Sequence, residues 1–207
     1  MFQHIQKTMD HAVVLSVTGL TGPAGPAGAQ PLLDALHFDI PAGVTALTGD
    51  EGTGKTSLLR LLAGDLTAVS GSVSVAPDDD VFWVDLQGAE HDQATVQACW
   101  DALSPRYPRW NEALLQDLAD ALDMTQHRSK RLEMLSSGSR RKVMVIAALA
   151  SGATVTLLDQ PFAALDLKSI RAIKDFLREA AEHPSRAWVV ADYEAPDDLP
   201  LASIVHL

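Results

Sequence analysis

Hydrophobic positions recur along the chain in two periods, and the change of period divides it. Loose alternation at Val13, Leu15 and Val17 predicts a strand over 11–20. A second strand is expected over 32–40, closed by the turn Pro41-Ala42-Gly43. The short run Gly43-Val44-Thr45-Ala46-Leu47-Thr48 reads as a buried strand, and 57–64 reads as a helix ending at Gly64. Strands are expected over 70–75 and 81–86, joined by a solvated hairpin turn at Pro77-Asp78-Asp79-Asp80. From 93 to 127 the period lengthens. Trp100, Leu103, Leu114, Leu115, Leu118 and Leu122 fall on helical spacings, interrupted at Ser104-Pro105-Arg106-Tyr107-Pro108. This stretch is expected to form a helical subdomain, about 90–150, inserted in one domain spanning 1–207. A helix over 136–150, a strand over 155–158, a helix over 166–181 and strands over 187–191 and 203–207 complete the pattern. Strands alternating with helices imply an α/β fold with a parallel sheet. Turn formers crowd 21–29, and the basic run 127–131 reads as a solvated face or a docking surface.

The candidate chemistry sits between a strand and a helix. Gly49-Asp50-Glu51-Gly52-Thr53-Gly54-Lys55-Thr56 fits the P-loop pattern G-x-x-x-x-G-K-[ST] without a mismatch, in the strand–loop–helix setting that the motif requires. Glycines let backbone N–H groups wrap a phosphate, and the helix start adds partial positive charge. Lys55 is expected at the β- and γ-phosphates, with Thr56 on Mg²⁺ and Ser57 beside it. Asp50 and Glu51 are compatible with a phosphate only if their side chains point away. A second element is Thr156-Leu157-Leu158-Asp159, an apolar strand ending in a carboxylate suited to hold Mg²⁺.

Composition narrows the classes. The 207 residues carry 27 acids against 16 Lys and Arg, a formal net charge of −11, which argues against a nucleic-acid surface. Cys99 is the single cysteine, so neither an internal disulfide nor a cysteine metal cluster is available. No apolar run approaches a membrane span, and Met1-Phe2-Gln3-His4-Ile5-Gln6-Lys7 lacks a signal-peptide core; a soluble intracellular protein is expected.

Three blocks together resemble one family. Leu135-Ser136-Ser137-Gly138-Ser139 opens a helix shortly before the Asp159 strand, and Asp159-Gln160-Pro161-Phe162-Ala163-Ala164-Leu165-Asp166 follows it. With the phosphate loop they are similar to the ABC (ATP-binding cassette) ATPases, whose signature is L-S-G-G-Q and whose next block is D-E-P-x-x-x-L-D. The resemblance covers nearly the whole chain. It implies a P-loop NTPase core with a mixed sheet, an antiparallel N-terminal β part and the inserted helical subdomain. It places Gln87 at the Q-loop glutamine, a Mg²⁺ ligand with Thr56 and Asp159, and Asp166 at the D-loop aspartate. It implies ATP and Mg²⁺ as cofactors, held by residues 49–57 of one subunit and, in trans, by Ser136, Ser137 and Gly138 of a second.

Four features depart from the family pattern. Gln160 stands where the family has its catalytic glutamate, and an amide cannot take a proton from water. Asp192 stands at about the switch histidine. Ser137 and Ser139 replace a glycine and a glutamine of the signature. No aromatic residue occupies 22–29, where the family stacks adenine. The expected function is the ATP-binding subunit of a transporter, such as an exporter of small molecules or of haem, driving a separate transmembrane permease. Expected partners are that permease and a second cassette, as homodimer or heterodimer, with no nucleic acid; the expected location is the cytoplasmic face of the membrane. Alternatives are a regulatory subunit that binds ATP with little hydrolysis, and a soluble non-transport protein acting on ribosome or DNA.

Overall fold

A computed structural model describes residues 11–23, 31–76 and 80–207. The 22–29 loop lies largely outside these residues, as do the N-terminal segment 1–10 and most of the 77–80 turn.

The alternating N-terminal segments form a three-stranded antiparallel sheet in the order β2-β1-β4, with β1 at Val13–Thr21, β2 at Leu36–Pro41 and β4 at Ser70–Val75. A second sheet is parallel throughout. Its order is β5-β6-β7-β3-β8, with β3 at Gly43–Thr48, β5 at Val81–Phe82, β6 at Val155–Asp159, β7 at Ala187–Asp192 and β8 at Ser203–His206. The antiparallel and parallel strands of the expected α/β core are thus parted into two sheets.

Every residue of β3 is buried, as its near-continuous apolar run requires of a parallel strand covered on both faces. Side chains of β7 alternate between two cores. Ala187, Val189 and Ala191 join Leu58 and Leu59 of helix α1 (Lys55–Leu62), while Trp188 and Val190 join Ile173 and Leu177 of helix α5 (Leu167–Ala180). Because the strands run parallel, the ends of β3, β6 and β7 meet at one edge, where a ligand crevice forms in open α/β sheets.

The helical stretch holds α2 (Val96–Leu103), α3 (Glu112–Ala121) and α4 (Ser137–Ala150), capped by Thr95, Asn111 and Ser136. Trp100 is buried and its indole donates to the Val143 carbonyl at 3.1 Å, tying α2 to α4.

Four expectations need correction. The strand over 81–86 is cut to two residues, and its partner is β6, not β4, so 77–80 does not join a hairpin. The strand stops because the backbone of Trp83 bonds to the Tyr107 phenol and the Leu86 carbonyl accepts from Arg140 at 2.7 Å. Asp80 is not a solvated turn residue: it pairs with Arg109 and accepts from the Thr154 N–H at 2.9 Å. In the basic run, Arg128 lies 5.2 Å over the Trp100 ring and donates to Gln97 and Gln116, so it is a packing residue. Likewise β2 begins only at Leu36, and Leu33 is buried ahead of it.

Candidate functional site: a phosphate cleft at the end of β3

Gly49 follows the last residue of β3, and the loop turns into α1 at Gly54, whose φ of 100° suits glycine and would strain any other residue. No side chain caps α1, so its first N–H groups are left for a ligand. A cleft of about 370 Å³ opens there, lined by Glu51, Gly52, Gly54, Lys55, Thr56 and Ser57 from the loop, and by Asp159, Gln160 and Tyr193 from the neighbouring strand ends. Asp50 is exposed and does not line the cleft; its carbonyl accepts from Thr53 Oγ1 at 3.0 Å. Glu51 does line it.

The cleft has the charge distribution that Mg-ATP calls for. Lys55 is only 7% exposed, and its Nζ donates to the carbonyls of Gly49 (2.6 Å) and Asp50 (2.8 Å). It forms no ion pair among the described residues, although the charge of Asp159 on the same cleft wall acts on it. Thr56 Oγ1 donates to Asp159 Oδ2 at 2.5 Å, placing two hard oxygen donors side by side. Burial pushes the Asp159 carboxyl above its ordinary range and the charge of Asp85 adds to this, while Thr56, Lys55 and Arg141 pull it down. A carboxylate so desolvated gains from a bound cation. Residues 49–57 with Asp159 therefore fit the phosphates and the Mg²⁺.

The remaining candidates divide. Gln160 lines the cleft in the left-handed region (φ 45°), where a non-glycine residue is strained, and its N–H is held by the Ala191 carbonyl at 2.8 Å. Asp192 does not line the cleft. The pleat turns it to the α5 side, where it borders a separate hollow with Phe162 and Lys174. The next residue, Tyr193, takes the cleft side, with its ring 4.9 Å from Lys55 Nζ. Sequence reasoning missed Tyr193; counting the strand period from buried Trp188 finds it. Gln87 does not line the cleft either: its amide reaches Met144 Sδ at 3.7 Å.

Ser136, Ser137 and Gly138 are likewise absent from the cleft lining. Ser136 and Ser137 are exposed, and the Ser136 hydroxyl accepts from the Ser139 N–H at 3.1 Å. Gly138 is buried, and a Cβ there would stand 2.2 Å from the Ala164 carbonyl oxygen. That glycine is demanded by packing within the chain.

Three consecutive cations that sequence reasoning also passed over explain how α4 is held. Arg140 donates to the carbonyls of Leu86 (2.7 Å) and Gly88 (2.8 Å) and pairs with Asp92, gripping the backbone on both sides of Gln87. Arg141 donates to the Ala163 carbonyl at 2.7 Å, and Lys142 to Asp166 at 2.8 Å. Their only trace in the sequence is a basic triplet on the first turns of a helix, where cations oppose the dipole.

With this geometry in hand, known proteins give a consistent comparison. The profile of a family described as ABC transporter matches residues 33–163. The cobalamin import ATP-binding protein BtuD of Halobacterium salinarum is 31% identical over 200 residues, 88% of this chain and 49% of that protein. The cytochrome c biogenesis ATP-binding export protein CcmA of Zymomonas mobilis is 36% identical over 155 residues, 72% of this chain and 66% of that protein. The chain spans about half the length of the first of these curated relatives. A solved structure of an ABC transporter's ATP binding subunit superposes with a TM-score of 0.67 at 19% identity, covering 86% of this chain and 79% of that one.

Proposed function

The chain belongs to the ABC transporter family, and from that premise we propose that it is an ATP-binding subunit that holds Mg-ATP in the phosphate cleft and hydrolyses it slowly. The observation that carries this reading is the buried Lys55 ammonium, held by backbone carbonyls and facing a cleft that also holds the Thr56–Asp159 pair. Lys55 and the loop N–H groups of 49–57 bind phosphate oxygens; Thr56 and Asp159 hold the Mg²⁺, with Gln87 the third candidate if its loop moves. When bound, Mg²⁺ offsets the phosphates' charge. Gln160 borders the site and can orient a water but cannot deprotonate it, which supports slow turnover.

In this reading residues 1–207 act as one cassette with a helical subdomain at about 90–150. Exposed Ser136 and Ser137, with Gly138 behind them, complete the site of a second cassette, in a homodimer or heterodimer. A separate membrane permease chooses the cargo, because similar proteins serve both cobalamin import and cytochrome c biogenesis export. No helix of the described residues is long and apolar enough to cross a membrane, which agrees with a peripheral subunit on the cytoplasmic side. Action on ribosome or DNA is disfavoured by the net charge of −11.

Steady-state phosphate release tests the slow-hydrolysis reading. Wild type should turn over well below about 1 s⁻¹, and Gln160→Glu should raise the rate by about 10²-fold. Wild-type turnover on the order of 1 s⁻¹ or faster, eliminated by Lys55→Ala, would contradict it while leaving ATP binding intact.

A further inference from the structure

A cavity of about 430 Å³ lies at the opposite edge of the parallel sheet, where β6 and β7 begin. It is separated from the phosphate cleft by the length of β6, about 13 Å at roughly 3.3 Å per residue. Its volume suits a small metabolite. Its walls are rich in donors, and no Asp or Glu lines it among the described residues, in a chain whose acids outnumber its Lys and Arg by 27 to 16.

Two guanidinium groups define it. Arg109 Nε donates to the Gly152 carbonyl at 2.8 Å and Arg186 Nε to the adjacent Ala153 carbonyl, also at 2.8 Å. Both forks are therefore set in place before any ligand arrives. Arg109 has a counter-charge in Asp80, which is not part of the lining. Arg186 has no acid partner among the described residues; it stacks at 4.7 Å on Trp188, and its Nη2 is buried without an acceptor. Burial and the charge of Arg109 hold the Arg186 guanidinium below its ordinary range, as expected where two cations share one acid.

The neutral groups point the same way. His183 Nδ1 accepts from the Ser185 N–H at 3.3 Å, so the neutral ring keeps its proton on Nε2 and can donate there. The Asn111 Oδ1 is spent capping α3, leaving its NH₂ as a donor at the positive end of a ten-residue helix. Guanidinium forks and a helix start, in a lining without Asp or Glu among the described residues, select planar or tetrahedral oxyanions.

We propose that this cavity binds a small oxyanion-bearing metabolite, a phosphate ester or a carboxylate, at a site distinct from the phosphate cleft. The site joins the nucleotide edge directly, because β6 follows Thr154 of its lining and ends at Asp159.

The test uses the whole chain with its phosphate loop disabled by Lys55→Ala, titrated separately with inorganic phosphate and with succinate. The Nε–H signals of Arg109 and Arg186 are followed by ¹⁵N NMR. At least one probe should shift both signals and saturate with a Kd on the order of millimolar or tighter. Saturation by phosphate alone assigns a phosphate ester, and by succinate alone a carboxylate. Arg186→Gln should weaken binding tenfold or more. Ser185 is exposed, so Ser185→Glu brings a carboxylate to the rim without burdening the fold, and it should weaken binding by a similar factor. Unchanged affinity in Ser185→Glu would overturn the proposal. So would the absence of a saturable shift with either probe, as expected of a cavity already filled by the chain's own acids.

Discussion

Two helix starts in this molecule carry glycine and serine or threonine, and they are built for different tasks. At α1 no side chain caps the helix, a lysine is buried without an ion pair among the described residues, and a cleft opens in front. At α4 the Ser136 hydroxyl already caps the helix, Gly138 is pressed against Ala164, and Ser136 and Ser137 face solvent. The first is a site the chain leaves open for an anion. The second spends its serine hydroxyl on one of its own N–H groups and gains a ligand only by offering an outer face to another molecule. At α1 the chain withholds a side-chain cap, and at α4 it supplies one.

Glycine substitutions should break this contrast most strongly. Gly138→Val should cost about 3 kcal/mol or more, since a side chain meets the Ala164 backbone. At roughly 2–4 °C per kcal/mol, calorimetry should record a fall in Tm of about 6–12 °C. Gly52 has a φ of 79°, and a methyl added there would meet nothing within 4 Å. Gly52→Ala should therefore cost only about 1 kcal/mol. Equal losses in the two variants would erase the distinction.

Substitution of Ser136 separates cap from interface. Ser136→Ala should lose about 1 kcal/mol of stability. Ser136→Asp keeps a good cap, so its Tm should match wild type, but its carboxylate would repel a nucleotide held by a second copy. Sedimentation with Mg-ATP should then show wild type associating and Ser136→Asp remaining monomeric. Association of both to the same extent would remove Ser136 from the interface.

Asp166 tests how α4 is anchored. It caps α5 through the Ser169 N–H and accepts from Lys142, which holds its carboxyl well below the usual range. A depressed pKa stabilises the fold above the unfolded value, about 3.9, and that contribution fades as pH falls through the folded value. Asp166→Ala should lose about 1 kcal/mol at pH 7. Chemical denaturation should show the gap to wild type steady down to about pH 4 and narrowing below it. A gap that widens on acidification would contradict the assignment.

The smallest effects belong to the end of β7. Asp192→Asn should change ATP affinity less than about twofold, whereas Tyr193→Ala, which uncovers Lys55, should change it by about fivefold, within the range of an exposed cation–π contact. The reverse order would return Asp192 to the cleft.

These residues also mark what could be read from the sequence. The phosphate loop and Asp159 were legible because a contiguous motif, a buried strand and a helix start lie in fixed local order. The helices were legible from apolar spacing, with α4 and α5 lying within the stretches 136–150 and 166–181 expected for them. What failed depended on long-range partners. Val81 to Leu86 has the composition of a strand, but Tyr107 and Arg140 take the backbone after Phe82. Asp192 sat at the expected spacing, and one step of the pleat gave its place to Tyr193. Gly138 was expected to serve a second subunit's site, and its packing against Ala164 is a further demand on the same residue that is visible only in three dimensions.

The central claim is that the α1 helix start binds Mg-ATP through Lys55. Calorimetric titration of Mg-ATP into wild type and into Lys55→Ala tests it most directly. The account predicts saturable binding by wild type and at least about 100-fold weaker binding by the variant, the loss of charge-assisted contacts worth roughly 1.5–3 kcal/mol each. Equal affinities in the two proteins, or no heat of binding in wild type, would contradict it.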